Sequence, residues 1–186
     1  MKKLSLFVFL ILIFIQDNLA ANIKLKIIEN INKIDTLKFN FSQFSFNIEE
    51  KGTCYLKRPY FLKCLYEDKK QKQLIINKRS LVIYHERYKK IYYYPLSRSY
   101  FLEILDKNKF SKIIMDGNLS SSEGIIQIKF FTEKKGNIIF YFDGDKFDLI
   151  GWVINDINNN STNFKILNLN KNIKIEKKIF DIPAIN

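Results

Sequence analysis

Residues 37–67 read LKFNFSQFSFNIEEKGTCYLKRPYFLKCLYE, and their spacing decides the fold class. Leu37, Phe39 and Phe41 alternate with polar residues, the period of a half-buried strand. Phe44, Phe46 and Ile48 continue in the opposite phase, so one long strand with a bulge at Ser42-Gln43 is predicted. Gly52 to Lys57 and Phe61 to Glu67 form two more strands around the short turn Arg58-Pro59-Tyr60. With that turn centred on Pro59, Lys57 opposes Phe61, Leu56 opposes Leu62, and Cys54 opposes Cys64. Both thiols then share a face with Leu56 and Leu62. Such a pair can form a cross-strand disulfide if it is a non-hydrogen-bonded one. Otherwise it contributes two small buried thiols to an apolar face. The C-x-x-C spacing of a redox catalyst is missing.

Outward from this stretch, more short strands follow. Gln73 to Ile76 and Ser80 to Tyr84 flank Asn77-Lys78-Arg79, and Tyr88 to Tyr94 is a further strand. The period changes after Pro95. Phe101, Leu102 and Leu105, then Phe110, Ile113 and Ile114, are spaced helically and predict one or two short helices between Ser97 and Met115. Strands return at 124–131, 137–143, 147–155, 162–169 and 173–179, separated mostly by polar turns. Upstream, Ile27, Ile28, Ile31 and Ile34 mark one face of a helix over about Asn22 to Ile34. The expected class is α+β, mainly antiparallel β, in a single domain. It has an N-terminal helix and a helical insertion near the middle. A sheet of this size either closes into a barrel or needs helices over its apolar face.

Residues 1–21 are expected to lie outside that domain. Lys2 and Lys3 precede an almost unbroken apolar run from Leu4 to Ile15, and Leu19-Ala20-Ala21 supplies a small-residue exit. These are the parts of a secretory signal peptide, and the run is shorter than the roughly 20 residues of a membrane span. Cleavage is expected after Ala20 or Ala21, so the protein should reach the periplasm. No cysteine follows that cut closely enough to carry a lipid on the new N-terminus. Removing 21 residues from 186 leaves 165, which suits one domain. The charge of +12 falls by two with Lys2 and Lys3 and rises by one with Asp17, giving +11.

Composition narrows the chemistry. A hydrophobic content of 47% excludes wholesale disorder. Six Gly and one His leave a glycine-cradled nucleotide fold poorly provisioned and exclude a His-rich metal site. There is no P-loop, no G-x-G-x-x-G and no G-x-S-x-G elbow. Ser120-Ser121-Ser122 reads as a solvated loop. His85 stands alone beside Glu86, without the nucleophile and orienting group a catalytic base needs. Asp143, Asp145 and Asp148 are turn formers that lack the glycine and distal glutamate of an EF-hand. No enzyme activity, cofactor or metal is expected. Lys and Arg are scattered along the chain and not gathered into one stripe, so nucleic acid is not an expected partner.

The motifs of the chain, taken in order, resemble the periplasmic outer-membrane lipoprotein carrier family LolA. Phe41-Ser42-Gln43 resembles its F-[ST]-Q signature, and Gly52 with Lys57-Arg58-Pro59 resembles its G-x-x-x-x-[KR]-R-P hairpin. Leu81-Val82-Ile83-Tyr84 is similar to its L-W-x-Y strand, with Val82 in place of Trp. Trp152, Asp156, Thr162 and Asn172 resemble its late W-x-x-x-D, T and N pattern, and Phe180 and Pro183 its closing F-x-x-P. Leu62 and Cys64 stand at hairpin positions that are commonly aromatic in the family, which implies a differently shaped cavity.

The resemblance implies a half-open, strongly curved sheet, an incomplete barrel, with the helices as a lid. It implies a periplasmic chaperone for acylated lipoproteins. An ATP-driven transporter of the inner membrane would load it, and a LolB-like acceptor would unload it at the outer membrane. A monomer is expected. Phe39, Phe41, Leu56, Leu62, Leu74, Ile76, Leu81 and Ile83 are the candidate inner-face residues of the ligand cavity. The resemblance assigns Arg58 the role of a latch that hydrogen-bonds lid backbone, since a guanidinium offers five donors. Other readings are a glycolipid carrier or envelope sensor on the same scaffold, or a basic binder of anionic surfaces.

Overall fold

The computed structural model describes residues 19–184 apart from 79 and 134. The basic start and apolar run expected to be a leader therefore lie outside the described residues. A first helix, α1, covers residues 19–32. Ile27, Ile31 and Ile34 are buried, as their spacing predicts. Full burial of such a side chain contributes about 1.5–3 kcal/mol, so this face fixes the helix to the body.

Six strands follow as a meander: β1 (Thr36–Ser45), β2 (Ile48–Lys57), β3 (Phe61–Tyr66), β4 (Lys72–Asn77), β5 (Ser80–His85) and β6 (Lys90–Pro95). Two short helices interrupt the chain, α2 (Phe101–Leu105) and α3 (Lys107–Asp116). Five strands complete it: β7 (Asn118–Ser122), β8 (Ile125–Thr132), β9 (Gly136–Asp143), β10 (Leu149–Asn155) and β11 (Ser161–Lys171). They form one antiparallel sheet in the order β6-β5-β4-β3-β2-β1-β11-β10-β9-β8-β7. The pairing of β1 with β11 joins the two meanders, so β1 sits mid-sheet. The sheet stays open between β6 and β7. Both edges are blunted: β7 is polar and short, and β6 carries Lys90, exposed tyrosines and a terminal Pro95.

Three predicted features differ. The phase change after Phe41 is not a bulge. It comes from a two-residue hairpin turn at Phe46 and Asn47, with φ of 50° and 60°, that pairs Ser45 with Ile48. Phe44, Phe46 and Ile48 are accordingly exposed. The bulge in this part of the sheet lies on β11, where Lys38 and Asn40 face Asn170 and Leu167 and Asn168 has a φ of 51°. Ser120-Ser121-Ser122, read as a loop, belongs to strand β7. An edge strand needs no apolar face, so it left no alternation to read.

The strand expected over 173–179 is also absent. Asn172 ends β11 with a φ of 55°, and β1 already has partners on both sides. The chain instead crosses the outer face of β3 and β4 and ends in a single 3-10 turn, Lys177–Phe180. Phe180 is fully buried there, 5.6 Å from the Phe61 ring, and its carbonyl accepts from Asn77.

Candidate functional site

The inner face of the sheet does not close on itself, and α2 covers part of the gap. Between them lies a cavity of about 360 Å³. Leu37 and Phe39 of β1, Cys54 and Leu56 of β2, Leu62 and Cys64 of β3, Leu74 of β4 and Ile83 of β5 form one wall. Leu149, Trp152 and Ile154 of β10 and Phe164 and Ile166 of β11 form the other. Phe101, Ile104 and Leu105 of α2 lie over it. The polar groups that border it are Gln43, Arg58, Tyr66, Lys72 and Thr162. A mostly apolar lining with a few placed polar groups is the make-up of a small-molecule site.

The strand period explains which residues meet there. Cross-strand register aligns Phe39, Cys54, Cys64, Leu74 and Ile83 in one row across five strands. Side chains in such a row point to one side of the sheet. Cys54 and Cys64 are joined by a disulfide that forms part of this wall. Of the candidate inner-face residues, Phe39, Leu56, Leu62, Leu74 and Ile83 border the cavity. Phe41, Ile76 and Leu81 are buried in the adjoining core and do not border it. Phe41 is taken up by aromatic packing, stacked on Phe164 and edge-on to Tyr66, with centroids 5.0 Å away in each case. The lining from β10, β11 and α2 was not among the candidates. Alternation marked those strands as apolar, but only the curvature of the sheet turns them towards β2–β4.

Arg58 stands where the β2–β3 hairpin meets α2. One of its terminal nitrogens donates to the carbonyls of Ile104 at 2.8 Å and Leu105 at 2.9 Å. These are end carbonyls of a five-residue helix, which have no partner within the helix. Burial lowers the Arg58 pKa to about 10, against the favourable charges of Asp106 and Asp35, so the guanidinium stays charged at neutral pH. Further contacts hold the helices down. Asp106 caps α3 by accepting from the backbone of Asn108 and Lys109, and also accepts from the Tyr60 hydroxyl. Lys107 donates to Asp35 and to the Asn32 carbonyl, both at 2.7 Å. Lys135 donates to Glu103 at 2.7 Å and Tyr100 to the Gly136 carbonyl at 3.0 Å.

The family model described as "Outer membrane lipoprotein carrier protein LolA" matches residues 32–183. The chain belongs to the LolA family. No curated protein matches it in sequence. Among solved structures, an uncharacterised conserved protein from Thermus thermophilus has a TM-score of 0.58 at 9% identity, over 86% of this chain and 92% of that one. The lipoprotein LppX of Mycobacterium tuberculosis has a TM-score of 0.52 at 8% identity, over 86% and 100%. The MucA/MucB complex of Pseudomonas aeruginosa matches with 0.52 at 8% identity, over 88% of this chain and 61% of the other. At these identities the likeness is one of fold.

The LolA-like motifs of this chain have visible structural work. Gly52 pairs with Tyr66, and a Cβ on it would lie 2.0 Å from the Leu65 carbonyl oxygen. Trp152 stacks on Phe164 at 4.2 Å and faces the cavity. Asp156 accepts from the backbone of Asn158 and Asn160 and holds the β10–β11 turn. The Asn172 side chain accepts from the Asp35 amide and donates to the Lys33 carbonyl, which ties the end of β11 to the start of β1. His85 packs edge-on against Tyr92, 5.8 Å between centroids.

Proposed function

We propose that this LolA-family protein is an extracytoplasmic carrier that shelters the acyl chains of lipoproteins between membranes. The observation that carries the reading is an apolar cavity covered by a helix whose end carbonyls are held by one arginine. An acyl chain of roughly 16 carbons loses about 12 kcal/mol on leaving a bilayer for water, at about 0.8 kcal/mol per methylene. A carrier offsets that loss by supplying apolar wall, and needs no chemistry of its own. Arg58 gives the cover a defined closed position, and breaking its two hydrogen bonds releases the end of α2.

On this reading residues 1–21 are removed during export and residues 22–186 form the working domain. That cut leaves Ile27 and Ile31 on the buried face of α1, and Ile34 just beyond it, intact. A disulfide in the cavity wall suits an oxidising compartment. Loading falls to an ATP-driven transporter of the inner membrane, and unloading to a LolB-like acceptor at the outer membrane.

Trp152 is the sole tryptophan and borders the cavity, so it reports occupancy directly. A diacylated lipopeptide with brominated chains should quench its fluorescence, and the same peptide without acyl chains should not. In cells, depletion of the protein should leave lipoproteins at the inner membrane. Absent quenching together with normal sorting on depletion would reject the reading. A glycolipid recovered by mass spectrometry from the purified protein would favour the alternative ligand.

A further inference from the structure

The cavity has two polar ends, and both have donors to offer, since the buried Arg58 Nε at the hairpin end has no partner among the described residues. At the hairpin end, Arg58 already donates to Ile104 and Leu105. At the other end, Gln43, Tyr66 and Lys72 border the cavity and Glu50 stands behind them. Gln43 faces Glu50 across β1 and β2, and faces Phe164 on its other side. Lys72 lies two residues before Leu74 on β4, so its side chain joins the same inner face. Its ammonium is paired with Glu50 and sits 3.8 Å from the centre of the Tyr66 ring. Both charged side chains are mostly buried, 18% exposed for Lys72 and 25% for Glu50. Gln43 donates to Glu50, and the Tyr66 hydroxyl donates to Gln43, each at 3.5 Å.

We propose that this end of the cavity recognises the neutral ester and amide linkages of an acylated peptide, and that Glu50 excludes anionic lipids. The inference rests on the carrier reading and adds which part of the ligand this end of the cavity reads. An ammonium has three donors, and among the described residues only Glu50 accepts one from Lys72. Tyr66 is pushed far above its ordinary pKa by burial, so its hydroxyl keeps its proton. The end therefore presents donors with no net charge, because Glu50 cancels Lys72. Ester and amide carbonyls are neutral acceptors and suit it. The carboxylate of a fatty acid or the phosphate of a phospholipid would lose its hydration there and gain no net attraction in return, because the Lys72 charge is already matched by Glu50. The pair is partly buried, and such a pair adds little to stability over apolar packing.

The inference is tested with two brominated probes, a diacylglyceryl lipopeptide of neutral sequence and dibromostearate, both read by Trp152 quenching. The unaltered protein should prefer the lipopeptide. Glu50→Gln leaves Lys72 uncompensated and should tighten dibromostearate by about tenfold, with the lipopeptide changed by less than about threefold. Lys72→Met should weaken the lipopeptide by about tenfold and leave dibromostearate no tighter. An unchanged preference in Glu50→Gln overturns the inference and leaves the carrier reading standing. If that variant does not fold, unchanged lipopeptide binding by Lys72→Met overturns it equally. Absence of quenching by both probes in the unaltered protein, together with normal lipoprotein sorting on depletion, defeats the carrier reading itself, and this one with it.

Discussion

The guanidinium of Arg58 bonds the carbonyl oxygen of Leu105 at 2.9 Å, joining the β2–β3 hairpin to the last residue of α2. The same nitrogen holds Ile104, so one side chain fixes the end of the cavity cover. Hydrogen bonds from a charged donor contribute about 1.5–3 kcal/mol each. Arg58→Leu should destabilise the closed cover by a few kcal/mol and raise amide exchange selectively in 101–116. It also places an apolar side chain at the rim. Acylated peptide should therefore bind the variant and leave it slowly. Transfer at the normal rate from Arg58→Leu to an acceptor would reject a latch role.

Acid should loosen the same cover. The Tyr60 hydroxyl and the cap amides of α3 hold Asp106 below the usual carboxylate range, and Lys107 does the same for Asp35. A carboxylate with a lowered folded pKa contributes stability that is complete above its unfolded value, near pH 4. That contribution is lost as pH falls through the folded value. The loss of the cap alone costs about 1 kcal/mol. Acrylamide quenching of Trp152 should rise below about pH 4, ahead of global unfolding. Asp106→Ala should show the raised quenching at neutral pH. A Trp152 signal flat until the sheet unfolds would disprove the coupling.

What could be read from the sequence follows the range of the interaction. The register of the hairpin around Pro59 was legible, because it depends on a three-residue turn and strict alternation. The two helices after Pro95 were legible for the same local reason. The turn at Phe46-Asn47 was not, since a phenylalanine at positive φ is a rare choice that the β1–β2 pairing imposes. Phe39 and Leu62 could be assigned to the inner face from alternation. Whether they would border a void or be filled in, as Phe41 is by Phe164, depends on a strand more than 100 residues away. The polar end of the cavity was hidden likewise. Gln43 was visible only as part of a motif, and Lys72 and Glu50 look like ordinary surface charges until β2 and β4 bring them together.

Gly52→Ala should be severely destabilising. The added methyl would overlap the Leu65 carbonyl oxygen and lie 2.9 Å from the Phe41 ring. The carbonyl belongs to the β3 backbone and cannot rotate away without parting β2 from β3. A loss of about 3 kcal/mol is expected, seen as a lower urea midpoint with an unchanged slope. A midpoint equal to that of the unaltered protein would show that the hairpin yields at this point.

Replacing both Cys54 and Cys64 with alanine should lower stability by about 2–3 kcal/mol, the loop-entropy value for a crosslink across ten positions. The same change removes two sulfur atoms from the cavity wall, so acyl probes should still bind. Urea midpoints measured with and without reductant provide the check. Equal midpoints for the oxidised and reduced protein would mean that the strand pairing alone supplies the constraint.

Filling the cavity separates its role from that of the sheet. Leu74 borders the void on β4, whereas Leu65 on β3 is 37% exposed and does not border it. Leu74→Trp places an indole where an acyl chain would lie, and the adjoining space removes most of the overpacking strain that a close-packed site would impose. The fold should persist, with stability changed by less than about 1.5 kcal/mol. Binding of a diacylated lipopeptide, followed by native mass spectrometry, should fall by at least about tenfold. Leu65→Trp adds the same group to the opposite face and should bind normally. Equal binding by both variants would place the acyl chains elsewhere on the molecule. A loss in Leu74→Trp alone, with the sheet intact, ties binding to the space between β4 and β11.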